Sequence, residues 1–271
     1  MDNMNAVCLI SGGLDSPTVM AYAIKMGYKV YPLSINYGQR HSKELNSSRE
    51  ICRYYNLDLK ILNIDLRQIG GSALTSDIEV PERSLNDISD DIPVTYVPAR
   101  NTIFLSLAAA YAETINAKYI FIGANAIDYS GYPDCRPEFF NAMNDALNLG
   151  TEFGIKENFK IMVPLQYLSK GDIIKLGRRL GVPYKLTWSC YNGREKACGK
   201  CDSCLLRLKG FMDANDYDDI EYESYPDFMW NTAKGQAINY KILKGSFDSQ
   251  HDRIIANNSY CKQEMWIWHV C

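Results

Sequence analysis

Nowhere does the sequence hold the run of about 20 apolar residues that crosses a bilayer, although 46% of its residues are hydrophobic. No membrane partner is expected. Charge of one sign is not in excess either. The formal net charge is −3, so no global field draws the chain to nucleic acid, and only a local patch remains open. The opening stretch, MDNMNAVCLI, has no basic segment ahead of its apolar run, so no secretory signal is expected. Repeats and low-complexity segments are missing, which argues against solenoids and disordered arrays. Two phosphate-binding fingerprints are also missing: the Gly-Lys-Ser/Thr of the Walker loop and the spaced glycines of dinucleotide folds.

What is there in unusual form is cysteine. The 271 residues carry 9, an odd number in a chain too long for a disulfide mini-protein. Four of them crowd between Cys190 and Cys204. Both facts point to a reducing cytoplasm and metal binding, not a disulfide framework.

The other stretch that stands out is Ser11-Gly12-Gly13-Leu14-Asp15-Ser16. A short apolar run, residues 5–10, precedes it, and a helical pattern from Pro17 to Lys25 follows. Short apolar runs bounded by turn residues suit buried parallel strands. Paired glycines permit positive φ and close backbone approach. Ser16 is expected to cap the helix, with Pro17 in its first turn. Strand, glycine turn and helix together present backbone N–H groups at a positive helix end, which is an anion site. The plainer reading is an ordinary strand-to-helix turn.

Taken in order, the chain alternates. Strands are expected over 29–35, 59–64, 118–123 and 159–163, with helices over 43–55, 102–115, 139–149, 169–180 and 205–213. Such alternation predicts an α/β fold, a doubly wound and mostly parallel sheet with ligands at the carboxyl ends of its strands. Alanines at 108–110 and 112 predict close packing of one helix on the sheet, and Ser169 is expected to cap another. Residues 66–95 have no period; a solvated excursion is the expectation, with a lid over the site as the other reading. Three units follow: 1–185 as the nucleotide-binding α/β part, 186–230 as a small metal-binding segment with a terminal helix, and 231–271 as a tail of no assignable role. Within that tail, Cys261, His269 and Cys271 lack a diagnostic metal spacing.

Cys190-x7-Cys198-x2-Cys201-x2-Cys204 offers four thiolates within fifteen residues. Structural zinc wants four soft ligands in a tetrahedron, and each C-x2-C step turns one knuckle around the ion. Gly199 helps the turn, and Lys196, Lys200 and Arg207 are available to offset the negative charge. Four protein ligands leave no position for water, so the role is structural. An iron–sulfur cluster and a redox pair are the competing readings.

The hexad at 11–16 resembles the signature of the PP-loop ATP pyrophosphatases. Those enzymes bind ATP there, transfer AMP to a substrate oxygen and release pyrophosphate. With further marks the resemblance narrows. YGQRH at 37–41 with Glu44, VPARN at 97–101, GANAIDYSGYPDCRPEF at 123–139, PLQYLSK at 164–170 and the cysteine quartet are similar to the 7-cyano-7-deazaguanine synthase (QueC) family. The similarity runs from residue 5 to about residue 213. Pro17 stands where that family commonly carries a hydroxyl residue, and the tail past about residue 230 exceeds the usual length.

The resemblance implies an ATP-dependent ligase that converts 7-carboxy-7-deazaguanine and ammonia to a nitrile, through adenylated acid and amide, in the queuosine or archaeosine precursor pathway. It implies ATP, Mg²⁺ and structural Zn²⁺, a homodimer, a cytoplasmic location and no nucleic-acid partner. The nucleotide is expected on Ile10, Ser11, Gly12, Gly13, Leu14, Asp15, Ser16, Pro17, Thr18, Val19 and Met20. Ser11, Asp15, Ser16, Arg100 and Lys170 are expected to carry catalysis, with Lys170 and Arg100 as the cations on phosphate or carboxylate. The flat acid is expected among Tyr96, Arg100, Asn101, Asn125, Asp128, Tyr129, Tyr132, Asp134, Arg136 and Phe139. Two other classes remain at this point: a PP-loop enzyme acting on tRNA, and a nucleotide-sensing or scaffolding protein without catalysis.

Overall fold

The computed structural model describes residues 4–82, 84–85, 91–127 and 131–231. Five strands, β1 (Asn5–Leu9), β2 (Lys29–Asn36), β3 (Lys60–Asn63), β4 (Tyr119–Phe121) and β5 (Lys160–Met162), form one parallel sheet in the order β3-β2-β1-β4-β5. The helices are α1 (Asp15–Lys25), α2 (Lys43–Tyr54), α3 (Arg100–Thr114), α4 (Pro137–Gly150), α5 (Glu152–Glu157), α6 (Lys170–Arg179), α7 (Asp202–Asp213) and α8 (Phe228–Asn231). The expected strands and helices are all present; α5 and α8 add two short ones.

The sheet is covered on both faces, as parallel sheets are. Strand β1 shows the period of two. Val7 and Leu9 join the core under α3 and α4, while Ala6 and Cys8 join the core under α1, α6 and α7. Ala108, Ala109 and Ala112 of α3 are fully buried, so their small side chains bring that helix close to the sheet, as expected. Pro32 sits inside β2 without breaking a ladder bond. The Leu33 carbonyl faces β1, accepting from Ile10 N–H at 2.9 Å. The nitrogen of Pro32 therefore faces β3, whose pairing begins only at Leu33.

The order of strand addition reverses at β1: β2 and β3 are laid down on one side of it, β4 and β5 on the other. That switch point opens a crevice beyond the carboxyl ends of β1 and β4. The hexad follows β1 and the Gly123-Ala124-Asn125 turn follows β4, so both border the crevice. Two glycines make the approach possible. Gly12 has φ +84°, and a Cβ there would lie 2.9 Å from Ser47 Cβ and from Ser48 N of α2. At Gly123 it would lie 3.1 Å from the Ser16 backbone.

Segment 66–95 meets the expectation of a solvated excursion in part: residues 67–69, 77–79, 91 and 92 are exposed, but a short stretch between them is not. Ser72, Ala73, Leu74 and Thr75 are buried, and Arg40 donates to the Ala73 and Ile78 carbonyls at 3.1 and 2.9 Å. Leu74 of that stretch lines the crevice. Residue 83 and the acidic stretch 86–90 lie outside the described residues, as does the tail beyond residue 231. Among the described residues, no helix is long and apolar enough to cross a membrane.

Candidate active site and metal centre

The loop is built by its own two serines. Ser11 N–H donates to Ser16 Oγ at 3.1 Å, the two hydroxyls lie 3.2 Å apart, and Gly13 N–H donates to Ser11 Oγ at 3.3 Å. Ser16 is therefore not the helix cap. Helix α1 starts one residue earlier, at Asp15, and its cap position, Leu14, makes no side-chain bond. The first N–H groups of α1 stay available to an anion. Pro17 falls in the first turn, where its missing N–H costs no helix bond but removes one donor from that end.

Lys170, the first residue of α6, lies with Nζ 2.9 and 2.8 Å from the two carboxylate oxygens of Asp15. Ser169 caps α6 as expected, accepting from Asp172 N–H at 3.2 Å. The cap fixes where α6 begins and hence where Lys170 points. Arg100 opens α3 behind an alanine in the left-handed region, Ala99 at φ 53°. The Tyr96 hydroxyl accepts from Ala99 N–H at 3.1 Å and holds that strained turn. Arg100 donates to the Tyr37 hydroxyl. Burial disfavours the guanidinium, but the phenols of Tyr37 and Tyr132 and the Asp134 carboxylate outweigh it and keep Arg100 firmly charged.

Two adjoining cavities, of about 190 and 260 Å³, fill the crevice. Taken together they fall within the ~300–1,000 Å³ of small-molecule clefts. They share a wall of Ser11, Ser16, Glu44, Arg100, Gly123 and Tyr191. The first is bounded by Leu33, Ile35, Leu74 and Phe104 and is mostly apolar. The second is polar: Asp15, Asn125, Tyr132, Lys170 and Arg207 line it.

The expected residues divide accordingly. Ile10, Ser11, Ser16, Arg100 and Asn101 line the apolar cavity; Gly13, Leu14, Asp15, Asn125, Tyr132 and Lys170 line the polar one. Thr18, Val19 and Met20 turn away. Thr18 bonds Leu14 O and Tyr184 OH, and Val19 and Met20 are fully buried in the core beneath the sheet. Asp134 is buried and accepts from Asn101 N–H at 3.1 Å, bracing the start of α3. Arg136 is exposed, and Phe139 packs on Phe140 and the core. Tyr96 stands behind Tyr132, ring centroids 5.8 Å apart. Asp128 and Tyr129 lie outside the described residues.

Glu44 is the group that residue patterning missed. It follows the YGQRH stretch at 37–41 as a further mark of the resemblance but had no assigned role. Burial pushes its carboxyl up to about 7, against the pull of Arg100. No local pattern signals this, because the cavity wall that holds Glu44 is assembled from residues far apart in the chain.

The four quartet thiols are buried, and their sulfurs all lie within 4.8 Å of one another. A tetrahedron of ~2.3 Å zinc–sulfur bonds has edges of about 3.8 Å; Cys198 Sγ and Cys204 Sγ are 3.9 Å apart. Backbone N–H groups of Asn192 and Cys198 donate to Cys190 Sγ at 3.3 Å, and those of Lys200 and Cys201 to Cys198 Sγ at 3.5 and 3.4 Å. Such donors favour thiolates over thiols, so the set fits a structural metal ion. Gly199, at φ +76°, makes the knuckle turn. The nearby cations are spent elsewhere than expected: Lys196 on Glu221, Lys200 on Glu82, and buried Arg207 on Asp218 through two bonds.

The knot lies against the loop rather than across the fold from it. Trp188 N–H donates to Gly12 O at 2.8 Å. His41 Nε2 donates to Cys190 O at 3.0 Å, and Lys43 lies 4.0 Å from the Trp188 ring centroid. Ser189, Tyr191 and Arg207, all from the metal-binding stretch, line the polar cavity.

Comparison with known proteins agrees with this geometry. The family model described as "Queuosine biosynthesis protein QueC" matches residues 5–215. A Picrophilus torridus protein named 7-cyano-7-deazaguanine synthase is 74% identical over 223 residues, which is 82% of this chain and 93% of that one. Proteins of the same name from Thermoplasma acidophilum and Pseudomonas fluorescens are 67% and 53% identical. Those matches cover 84% and 82% of this chain and 96% and 100% of the respective relatives.

Proposed function

The chain belongs to the QueC family, and on that footing we propose that it is an ATP-dependent 7-cyano-7-deazaguanine synthase. The observation that carries the reading is the crevice itself: an uncapped helix end and three cations, Arg100, Lys170 and Arg207, face one polar cavity, in a chain whose close relatives bear that name. Those relatives bear neither a tRNA-modifying nor a sensing name.

In this reading the apolar cavity takes the adenosine of ATP and the polar cavity takes 7-carboxy-7-deazaguanine. Pyrophosphate rests on the Ser11–Ser16 backbone at the α1 end. The substrate carboxylate attacks the α-phosphorus, and the bond to pyrophosphate breaks. Charge grows on phosphate oxygens, and Lys170, Arg100 and the loop N–H groups are positioned to balance it. Asn125 and Tyr132 hold the heterocycle, one by hydrogen bonding and one by its ring. Mg²⁺ enters with ATP, mainly on phosphate oxygens, and Asp15 is the carboxylate beside that position. Ammonia then displaces AMP to give the amide, and a second adenylation of the amide oxygen leads to the nitrile.

The quartet holds zinc in a purely structural role. Residues 1–185 act as the nucleotide-binding unit and 186–230 as the metal-binding segment that completes the polar cavity. The enzyme works as a cytoplasmic homodimer. Incubating the protein with ATP, ammonia and the acid, and reading products by mass spectrometry, tests the reading. Nitrile and two AMP per turnover are expected; absence of nitrile overturns it.

A further inference from the structure

Resting on the reaction proposed above, we infer that the Glu44 carboxylate accepts the nitrogen-bound protons, first from the attacking ammonia and then from the activated amide. The position is the first argument. Glu44 is one of six residues that wall both cavities, so its side chain borders the place where acid and nucleotide must meet. Its backbone is fixed there. The Glu44 carbonyl packs against Gly12 of the loop and accepts from Ser48 Oγ at 3.0 Å.

The second argument is availability. Among the described residues no donor hydrogen-bonds the Glu44 carboxylate. Asp15, the other carboxylate of the polar cavity, is held by Lys170 through both oxygens. Burial pushes the Cys135 thiol up to about 11. His41 has Nε2 committed to the Cys190 carbonyl, and its Nδ1 is without a partner among the described residues but buried away from solvent. The charged and titratable groups that line the two cavities with Glu44 are Arg100 from α3, Tyr37 just after β2, Arg40 and His41 before α2, Tyr132, Cys135, Tyr191 and Arg207, and the Asp15–Lys170 pair. Of these, Arg100 favours the charged carboxylate and burial opposes it more strongly, leaving Glu44 at about 7. A base poised near the working pH both takes and releases a proton readily.

The steps balance. Ammonia forms a bond to the acyl carbon of the mixed anhydride, the carbon–oxygen bond to AMP breaks with its electron pair, and Glu44 takes one proton from nitrogen. After the second adenylation the nitrogen still carries two protons: Glu44 takes one to give the neutral O-adenylated imidate, and, once that has passed to solvent, the other as the carbon–oxygen bond to AMP breaks with its electron pair and the triple bond forms. Each proton passes to solvent before the next step.

The test compares wild type with Glu44→Gln and Glu44→Asp in two assays: acid-dependent exchange of labelled pyrophosphate into ATP, and amide plus nitrile formation. Exchange needs no proton taken from nitrogen. The inference expects Glu44→Gln to lose product formation about 100-fold relative to exchange, and Glu44→Asp to recover part of it. Equal loss in both assays, or product at the wild-type rate, overturns the role of Glu44. Wild type that shows no acid-dependent exchange overturns the reaction itself, and the inference with it.

Discussion

Trp188 donates its backbone N–H to the carbonyl of Gly12 at 2.8 Å, which joins the metal-binding stretch to the turn proposed to hold pyrophosphate. Metal in the quartet should therefore matter at a distance. Stripping the ion, or Cys198→Ser, removes a thiolate that accepts two backbone bonds and frees the stretch that carries Trp188, Ser189 and Tyr191. The expected result is one equivalent of zinc by elemental analysis of the native protein, and weaker ATP binding, by about 10-fold or more, in the variant. A Cys198→Ser protein that binds ATP normally would show that the knot and the loop are independent.

That coupling also marks where the sequence stopped being readable. The sheet and its helices were legible because each is a local pattern: a short apolar run at residues 5–10, alanines on one face of α3, a serine cap at Ser169. The quartet was legible as a ligand set because its spacing is short. Its place was not, because a metal knot 180 residues after the loop carries no signal of the fold that returns it there. Ser16 misled for a related reason. Its hydroxyl suits a cap, but Ser11 N–H claims it, and only the folded loop brings the two together. Glu44 carried no role in the sequence because only the folded chain sets it on the wall that the two cavities share.

Gly12 and Gly27 give a paired test of the close approach. Both have positive φ, +84° and +87°, but nothing lies within 4 Å of a Cβ at Gly27, whereas α2 backbone abuts Gly12. Gly27→Ala should cost only the backbone conformation, about 1–2 kcal/mol. Gly12→Ala should cost clearly more and abolish ATP binding, since α2 or the loop must move. Urea unfolding of both variants, with ATP binding by calorimetry, checks this; equal costs would refute the packing argument.

Lys170 is paired with Asp15, with about one-fifth of each side chain exposed to solvent: 17% and 26%. Such a pair adds little stability. Lys170→Met keeps the length and removes the charge. The expected outcome is a melting temperature near wild type and about a 100-fold loss in the rate of acid-dependent pyrophosphate exchange. Exchange within threefold of wild type would reduce the residue to a surface ion pair.

Glu44 sets a stability prediction of unusual sign. Its carboxyl is pushed up from the ordinary 4.5 to about 7, first by burial, with Arg100 pulling the other way. A carboxyl raised in the folded state binds its proton more tightly there than in the unfolded chain. Its stabilising share is thus full below about 4.5 and is lost as pH rises through about 7. Above that, the folded protein carries a poorly solvated charge. Glu44→Gln removes the charge and should raise stability near pH 8 by on the order of 1–3 kcal/mol, an increase of several degrees in melting temperature for a chain of this size. The gain should shrink toward pH 5, where wild-type Glu44 is protonated in the folded state. Other titrating groups cancel, because the comparison is variant against wild type at each pH. Melts at the two pH values check it, and a variant no more stable than wild type at pH 8 would show that the folded site solvates this carboxylate well. Greater stability together with lost turnover is the combination expected of a group kept for chemistry at the expense of the fold.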